Sequence, residues 1–165
     1  GIVGCGHVGK DLVKLLKPFG CNILSHDIID FKEFYQENNI TSVGLDELLQ
    51  KSDVVTLHLP KNDSTNNILN KDRLQMLKKD AILINLARGG LLDEPALKKI
   101  LSEKNIAGAA LDVFSVEPPI DTDFAHLDNV LITPHIGGST EEAILAMGLA
   151  AIDGLKNPKN PLKFL

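Results

Sequence analysis

Short apolar runs alternate with amphipathic helical patterns from one end of the 165-residue chain to the other. Several of the runs, such as the one from Ala81 to Ile84, are hydrophobic throughout, which is typical of strands that are covered on both faces. The strands predicted from this pattern cover residues 1–5, 22–26, 41–43, 54–59, 81–86, 106–113 and 130–133, of which 41–43 is the weakest.

Helical spacing of apolar residues occupies most of the intervals between these strands. One stripe runs from Val8 to Leu16, and Pro18 with Gly20 ends it. Ser139, with Glu142 three residues later, predicts a capping box that opens a final helix over residues 140–155. Repeated β-α units predict an α/β fold with a doubly wound parallel sheet and right-handed crossovers. The other predicted helices cover residues 45–50, 71–77 and 94–102.

Length and composition fit one compact globular domain. The hydrophobic share of 44% and the charged share of 24% exclude a disordered chain or a small disulfide-rich protein. A net charge of −5 argues against an electrostatic nucleic-acid binder. No apolar run approaches the roughly 18 residues of a membrane span. Cys5 and Cys21 lack metal-binding or redox spacing, and we interpret both as reduced core residues of a cytoplasmic protein.

Both ends of the chain differ from those expected of a complete domain. Only three residues precede Gly4 in the first predicted strand, whereas strands usually have about five or six residues. Residues 156–161 form a polar, proline-containing tail. We therefore expect a piece of a longer polypeptide.

The segment GCGHVG at residues 4–9 has the Gly-x-Gly-x-x-Gly spacing of a dinucleotide-binding turn, which predicts a Rossmann fold. Gly4 would make the tight turn out of the strand, Gly6 would let a pyrophosphate approach the backbone, and Gly9 would let the helix pack on the sheet. The amides of His7 and Val8 would face the phosphates at a helix N-terminus. The alternative is a glycine-rich turn that binds no ligand.

Asp27 follows the second predicted strand, about 20 residues beyond the glycines. A carboxylate there would accept hydrogen bonds from the adenosine ribose and repel a 2′-phosphate, so the position favours NAD over NADP. A solvated acid at a strand end is the alternative. Ligands of open parallel sheets bind at the carboxyl ends of the strands, where most other polar or glycine-rich segments also fall. These segments are residues 58–60, 85–90, 112 and 133–138.

Five segments, in order, resemble the signatures of the D-isomer-specific 2-hydroxyacid dehydrogenases. They are GCGHVG at 4–9, VTLHLP at 55–60, NLARGG at 85–90, LDVFSVEP at 111–118 and TPHIGG at 133–138. HIGGST at 135–140 is most similar to the phosphoglycerate dehydrogenases of this family. The resemblance implies a dinucleotide-binding domain over residues 1–138 with a shortened first strand. Residues 139–165 would form a long helix and a tail that lead toward a substrate domain.

The resemblance also implies three catalytic residues. Arg88 would bind the substrate carboxylate and polarise the carbonyl that receives the hydride, because a guanidinium matches a carboxylate and stays charged. His135 would be the acid–base group, and Glu117 would orient its imidazole and raise its pKa. The alternatives are a helix-capping or surface-paired arginine, a loop histidine and a solvated loop acid.

The same resemblance implies the contacts of the cofactor, NAD. Leu59 and Pro60 would contact the adenine side, whereas His58 is equally explained by packing at a strand end. Asp112 would accept a hydrogen bond from the nicotinamide carboxamide, with a turn acid as the alternative. No metal site is predicted. The predicted cofactor-binding residues are Gly4, Gly6, His7, Val8, Gly9, Asp27, Leu59, Pro60, Leu86, Ala87, Arg88, Asp112, His135, Gly137 and Gly138.

The leading hypothesis is therefore the cofactor domain of an NAD-dependent D-2-hydroxyacid dehydrogenase, with 3-phosphoglycerate as one candidate substrate. Its expected partners are a small 2-hydroxy or 2-keto acid and a second copy of the chain, without nucleic acid or membrane. Because the three catalytic residues would line one wall of an open cleft, we expect these 165 residues to bind NAD weakly and to turn over little. The alternatives are an NAD(H)-sensing protein similar to transcriptional corepressors and a Rossmann domain without a ligand.

Overall fold

A computed structural model describes residues 1–119 and 123–158 and contains a seven-stranded parallel sheet. The strands are β1 Ile2–Val3, β2 Ile23–His26, β3 Ile40–Ser42, β4 Val54–Leu57, β5 Ile82–Asn85, β6 Gly108–Leu111 and β7 Val130–Ile132. Their order across the sheet is β3-β2-β1-β4-β5-β6-β7, and every neighbouring pair is parallel. The predicted doubly wound α/β fold is confirmed, and all seven predicted strands form.

Helices connect most of these strands and agree largely with the sequence pattern. The predicted helix over residues 94–102 forms with the same bounds, whereas the one predicted over 71–77 ends at Leu74. The helix Lys32–Glu37 was not predicted, because it is short and its apolar stripe is aromatic. The helices are α1 His7–Leu16, α2 Lys32–Glu37, α3 Leu45–Lys51, α4 Lys71–Leu74, α5 Glu94–Ser102 and α6 Glu141–Lys156, with 3-10 turns at Lys17–Phe19 and Asp123–His126.

Two local predictions are wrong. The N-cap of α6 is Thr140 rather than Ser139, since the Thr140 hydroxyl accepts a hydrogen bond from the backbone N of Ala143 at 3.1 Å. No capping box forms, because the third residue after Thr140 is Ala143 rather than the Glu or Gln that this motif requires. Cys21 is exposed, because it lies in the turn before β2, whereas Cys5 is buried as predicted.

Two hydrophobic clusters lie on opposite faces of the sheet. Successive side chains of a strand point to opposite faces, and in β1 Ile2 enters one cluster while Val3 enters the other. The larger cluster packs under α3, α4 and α5 and includes Leu83 and Leu97. The smaller one packs under α1 and α2 and includes Tyr35. The glycine turn is thus attached to the smaller cluster.

One half of the sheet has an uncovered apolar face. Val54 pairs with Ile82, and Ala110 of the neighbouring strand pairs with Leu131. Val54, Ile82 and Leu131 are all exposed, and a groove of about 380 Å³ lies over Gly108 and the residues around it. This is the sheet half formed by β4 to β7.

The chain divides into two compact units, Gly1–Pro134 and His135–Leu165. The first contains the whole sheet and both clusters. The second contains α6, of which no residue is buried and whose exposed side chains include Ile144, Leu145 and Met147. Within the described ranges, no helix combines the length and the hydropathy that a bilayer span requires.

Candidate active site

The turn between β1 and α1 requires glycine at two positions for reasons internal to the protein. Gly4 has a φ of +95°, and a Cβ on it would lie 2.5 Å from the carbonyl oxygen of His58. A Cβ on Gly9 would lie 2.4 Å from the carbonyl oxygen of Gly4. Gly6 is different, because a Cβ on it would meet no protein atom within 4 Å. The space beside Gly6 is open to a ligand.

The N-terminus of α1 provides donors for an anion at this turn. Gly6 is the N-cap, and the first helical hydrogen bond runs from the backbone N of Lys10 to its carbonyl oxygen at 3.0 Å. The amides of His7 and Val8 precede that bond and therefore have no acceptor within the helix. Since the first turn of α1 carries no acidic residue, the helix dipole favours a phosphate there.

The carboxylate of Asp27 lies beside the glycine turn, one residue beyond the end of β2. Its Oδ2 accepts a hydrogen bond from the backbone N of Cys5 at 2.6 Å, and its Oδ1 accepts one from the backbone N of Ile29 at 2.9 Å. These two amides fix the orientation of the carboxylate. The residues predicted for the phosphates and for the ribose are thus brought together.

The loop after β4 forms the neighbouring wall. Leu59 is half-buried and Pro60 is exposed, and the hydroxyl of Thr65 donates a hydrogen bond to the carbonyl oxygen of Pro60 at 2.7 Å. His58 is half-buried, with Nε2 3.1 Å from the Thr56 hydroxyl, and burial lowers its pKa below the usual 6.5. The contact with Thr56 is the kind that packing at a strand end predicts, and a cofactor contact of His58 stays the alternative.

Asn85 fixes the turn that carries Arg88. This asparagine is 1% exposed, its Nδ2 donates to the carbonyl oxygen of Arg88 at 2.9 Å, and its Oδ1 accepts from the backbone N of Ala87 at 3.1 Å. Leu86, Ala87 and Arg88 follow β5, and Arg88 is exposed. Its Nη1 donates to the carbonyl oxygen of Ala87 at 2.6 Å, and no carboxylate of the described residues forms an ion pair with it. Among residues 1–119 and 123–158, the guanidinium is therefore not paired with a surface acid.

Asp112 and Glu117 lie in one loop after β6. Asp112 is 3% exposed, and its Oδ1 accepts a hydrogen bond from the hydroxyl of Thr133 at 2.5 Å. Glu117 is exposed, and its Oε1 accepts one from the backbone N of Phe114 at 3.0 Å. The Arg88 turn packs against the same loop, because a Cβ on Gly89 would lie 1.8 Å from the Phe114 carbonyl oxygen.

Three predicted residues belong to the second unit. His135 is exposed and has a φ of +53°, and Gly137 and Gly138 follow it as exposed residues. The pairing of His135 with Glu117 stays a prediction, as do the cofactor contacts of the two glycines.

Residues 1–137 match the family described as D-isomer specific 2-hydroxyacid dehydrogenase, NAD binding domain. The chain belongs to this family. The resemblance found in the sequence motifs is thereby confirmed.

Several members of the 2-hydroxyacid dehydrogenase family are closely similar to this chain. A D-3-phosphoglycerate dehydrogenase of Methanocaldococcus jannaschii is 43% identical over 157 residues, which are 94% of this chain and 30% of that protein. Among solved structures, a glyoxylate reductase from Paecilomyes thermophila has a TM-score of 0.88 at 33% identity and covers 94% of this chain and 47% of its own. A D-lactate dehydrogenase from Aquifex aeolicus, complexed with NAD and lactic acid, has a TM-score of 0.86 at 30% identity, with coverages of 94% and 51%.

This 2-hydroxyacid dehydrogenase domain thus spans about a third of the length of its curated relatives and about half of the solved chains. Sequence reasoning assigned no role to three residues that support its site, Asn85, Thr133 and Glu94. Glu94 does so because its carboxylate accepts hydrogen bonds from Ser115, in the loop that carries Glu117. Asn85 had a local signal, because an asparagine at the start of a turn commonly bonds to the backbone two or three residues later. In the part of the chain that the structure describes, no group of three or more His, Cys, Asp or Glu side chains could hold a metal ion.

Proposed function

We propose that this chain is the cofactor domain of an NAD-dependent oxidoreductase, which transfers a hydride between NAD(H) and a D-2-hydroxy acid or its 2-keto acid. The observation that carries the proposal is the Arg88 turn. Its guanidinium is exposed, lacks an ion-pair partner in the described ranges and stands on a turn that Asn85 fixes. A guanidinium that forms no ion pair with the described residues, on a turn held by Asn85 and at the same sheet edge as an open dinucleotide turn, suits a carboxylate substrate.

The residues along this edge fit NAD. The open space beside Gly6 and the amides of His7 and Val8 suit its pyrophosphate, and the fixed carboxylate of Asp27 suits the adenosine ribose. Leu59 and Pro60 would contact the adenine side, and Leu86 and Ala87 the nicotinamide side. Asp112 would accept a hydrogen bond from the nicotinamide carboxamide. Gly137 and Gly138, which follow His135, would also contact NAD.

NAD(H), when bound, supplies or accepts the hydride. Arg88 would bind the substrate carboxylate through two parallel hydrogen bonds and polarise the adjacent carbonyl. His135 would donate a proton to the carbonyl oxygen during reduction and accept it during oxidation, because an imidazole titrates near neutral pH. Glu117 would hydrogen-bond that imidazole and stabilise its cationic form.

We infer that the substrate is a small D-2-hydroxy acid, with 3-phosphoglycerate as the leading candidate. The support is the similarity to D-3-phosphoglycerate dehydrogenases, one of which is 43% identical to this chain over 157 residues. We further place the protein in the cytoplasm, since Cys5 and Cys21 are free thiols.

We also propose that two copies associate through this domain. The support is the exposed apolar surface of α6, including Leu145 and Leu149. Light scattering should give a dimer mass, and the double variant Leu145→Glu/Leu149→Glu should give a monomer mass. A monomer mass for the unchanged chain would refute this association.

The activity proposal is tested first by binding and then by turnover. NADH fluorescence titration of the chain should show saturable binding. NADH oxidation with a panel of 2-keto acids, including the keto acid of 3-phosphoglycerate, should be slow and should disappear in Arg88→Ala and His135→Ala. Lys79→Ala, at an exposed lysine before β5, is the matched control and should leave both measurements unchanged.

Three results would contradict the proposal. Absence of NADH binding at millimolar concentration would indicate a domain that has lost its ligand. NADH binding without reduction of any acid, together with an NADH-dependent change of oligomeric state, would favour a sensor. Turnover that survives in both variants would remove Arg88 and His135 from the mechanism.

A further inference from the structure

The first residues beyond β6 and β7 stand opposite each other at the carboxyl edge of the sheet. Leu111 pairs with Ile132 at the end of the two strands, and the backbone N of Thr133 donates to the carbonyl oxygen of Leu111 at 3.0 Å. Because the ladder is parallel, the next pair along it is Asp112 and Thr133. Their side chains are therefore neighbours.

The hydroxyl of Thr133 donates a hydrogen bond to Oδ1 of Asp112 at 2.5 Å. An ionised carboxylate only accepts hydrogen bonds, so the hydroxyl must be the donor. The backbone of Asp112 is held independently, since its N donates to the carbonyl oxygen of Asn85 at 3.0 Å. The strand ladder thus fixes the main chain of Asp112, and the threonine hydroxyl acts on its side chain.

We propose that Thr133 is a positioning residue, which holds the Asp112 carboxylate in the orientation that accepts the carboxamide N–H of nicotinamide. This inference rests on the proposed function, in which Asp112 receives that group. The last side-chain torsion of an aspartate is broad and has no sharp preference of its own. A hydrogen bond to one carboxylate oxygen narrows the range of that torsion. It thereby fixes the plane in which the carboxylate accepts the hydrogen bond of the carboxamide.

Threonine suits this task better than a flexible donor does. Its β-branched side chain is restricted about the first torsion, so the hydroxyl stays where the strand places it. Valine has nearly the same shape without the hydroxyl, and serine keeps the hydroxyl without the methyl group. Thr133→Val therefore removes the hydrogen bond to Asp112, and Thr133→Ser keeps it.

The test compares two ligands that differ by the nicotinamide group. NADH and ADP-ribose are titrated against the unchanged chain, Thr133→Val, Thr133→Ser, Asp112→Asn and the double variant Thr133→Val/Asp112→Asn. We expect Thr133→Val to weaken NADH binding about tenfold, equivalent to about 1.4 kcal/mol, and to leave ADP-ribose binding unchanged. Thr133→Ser keeps the hydroxyl but not the methyl group, so it should bind NADH more tightly than Thr133→Val does and no more tightly than the unchanged chain does. The double variant should be no weaker than Asp112→Asn alone, because Thr133 acts through Asp112.

Several results would overturn the inference. Thr133→Val could bind NADH as tightly as the unchanged chain does, which would show that the hydroxyl has no effect on the cofactor. Equal losses of affinity for NADH and ADP-ribose in Thr133→Val would show that Thr133 has only a structural role at the strand ends. Additive losses of NADH affinity in the double variant would show the same. Failure of the unchanged chain to bind NADH would refute the proposed function itself, which distinguishes that failure from failure of the role of Thr133.

Discussion

Replacing Glu94 by alanine should loosen the loop that carries Glu117. Glu94 is the first residue of α5, and its Oε1 accepts hydrogen bonds from both the backbone N of Ser115, at 2.7 Å, and the hydroxyl of Ser115, at 2.8 Å. The helix that follows the arginine turn is thereby tied to the loop that follows β6. Removing the carboxylate leaves two donors of Ser115 without this acceptor.

The expected loss of stability is about 2 kcal/mol. A hydrogen bond to a charged group contributes roughly 1.5–3 kcal/mol, and we take about 1 kcal/mol for each of these two because both are exposed to solvent. Glu94→Gln keeps an oxygen acceptor without the charge, so about half of the loss is expected. Part of the effect comes from a negative charge in the first turn of a helix, which contributes about 0.3–1 kcal/mol.

Glu33→Ala is the matched control for that charge. Glu33 lies in the first turn of α2 and is exposed, and its side chain forms no hydrogen bond with the described residues. Urea denaturation at an unchanged m-value should show a larger loss of unfolding free energy for Glu94→Ala than for Glu33→Ala. Hydrogen exchange at the amide of Ser115 should accelerate only in the Glu94 variants. Equal losses for the two alanine variants would refute the reasoning.

Three other expectations follow from particular contacts. Gly6→Ala should change the unfolding free energy by less than about 0.5 kcal/mol, yet it should weaken NADH binding in a fluorescence titration. Gly9→Ala should lower the unfolding free energy by about 2 kcal/mol, because its Cβ would meet the carbonyl oxygen of Gly4. Similar stabilities of the two variants would contradict this expectation. Because burial lowers the pKa of His58, the unfolded chain takes up the proton first, so stability should fall as the pH drops below about 6.5 toward the folded-state pKa. His58→Gln should flatten that part of the curve in urea denaturation, and an unaltered curve would exclude His58 as its source. Because Cys21 is exposed and Cys5 is buried, Cys21 should react with a thiol reagent at once and Cys5 only as the chain unfolds. Rapid reaction of both thiols in the folded chain would disprove this expectation.

The sheet, the glycine turn and Asp27 were predictable because each depends on a short stretch of sequence. Short, continuous apolar runs specify the strands, and parallel strands bring their carboxyl ends to one edge without further information. Polar and glycine-rich segments at these strand ends then identify that edge as the predicted ligand site. The bonds of Asp27 to the neighbouring turn agree with its predicted location.

The supporting contacts of the site were not predictable, because they join residues that are distant in the sequence. Glu94 and Ser115 are 21 positions apart, and so are Asp112 and Thr133. Neither pair belongs to a local sequence motif. Contact within each pair depends on how two neighbouring β-α units pack against each other in three dimensions. The exposure of Cys21 escaped prediction for a related reason, since Phe19 and Ile23 near it in the sequence are apolar, whereas the turn before β2 leaves Cys21 exposed.

The unequal size of the two hydrophobic clusters has a consequence for local unfolding. The turn that begins α1 rests on the smaller cluster, whereas the arginine turn rests on the larger one. Cooperative units with fewer buried apolar contacts open at lower free energy. Native-state exchange should therefore detect partial opening first in α1 and α2, which cover the smaller cluster, and a bound nucleotide should suppress that opening more than it raises global stability.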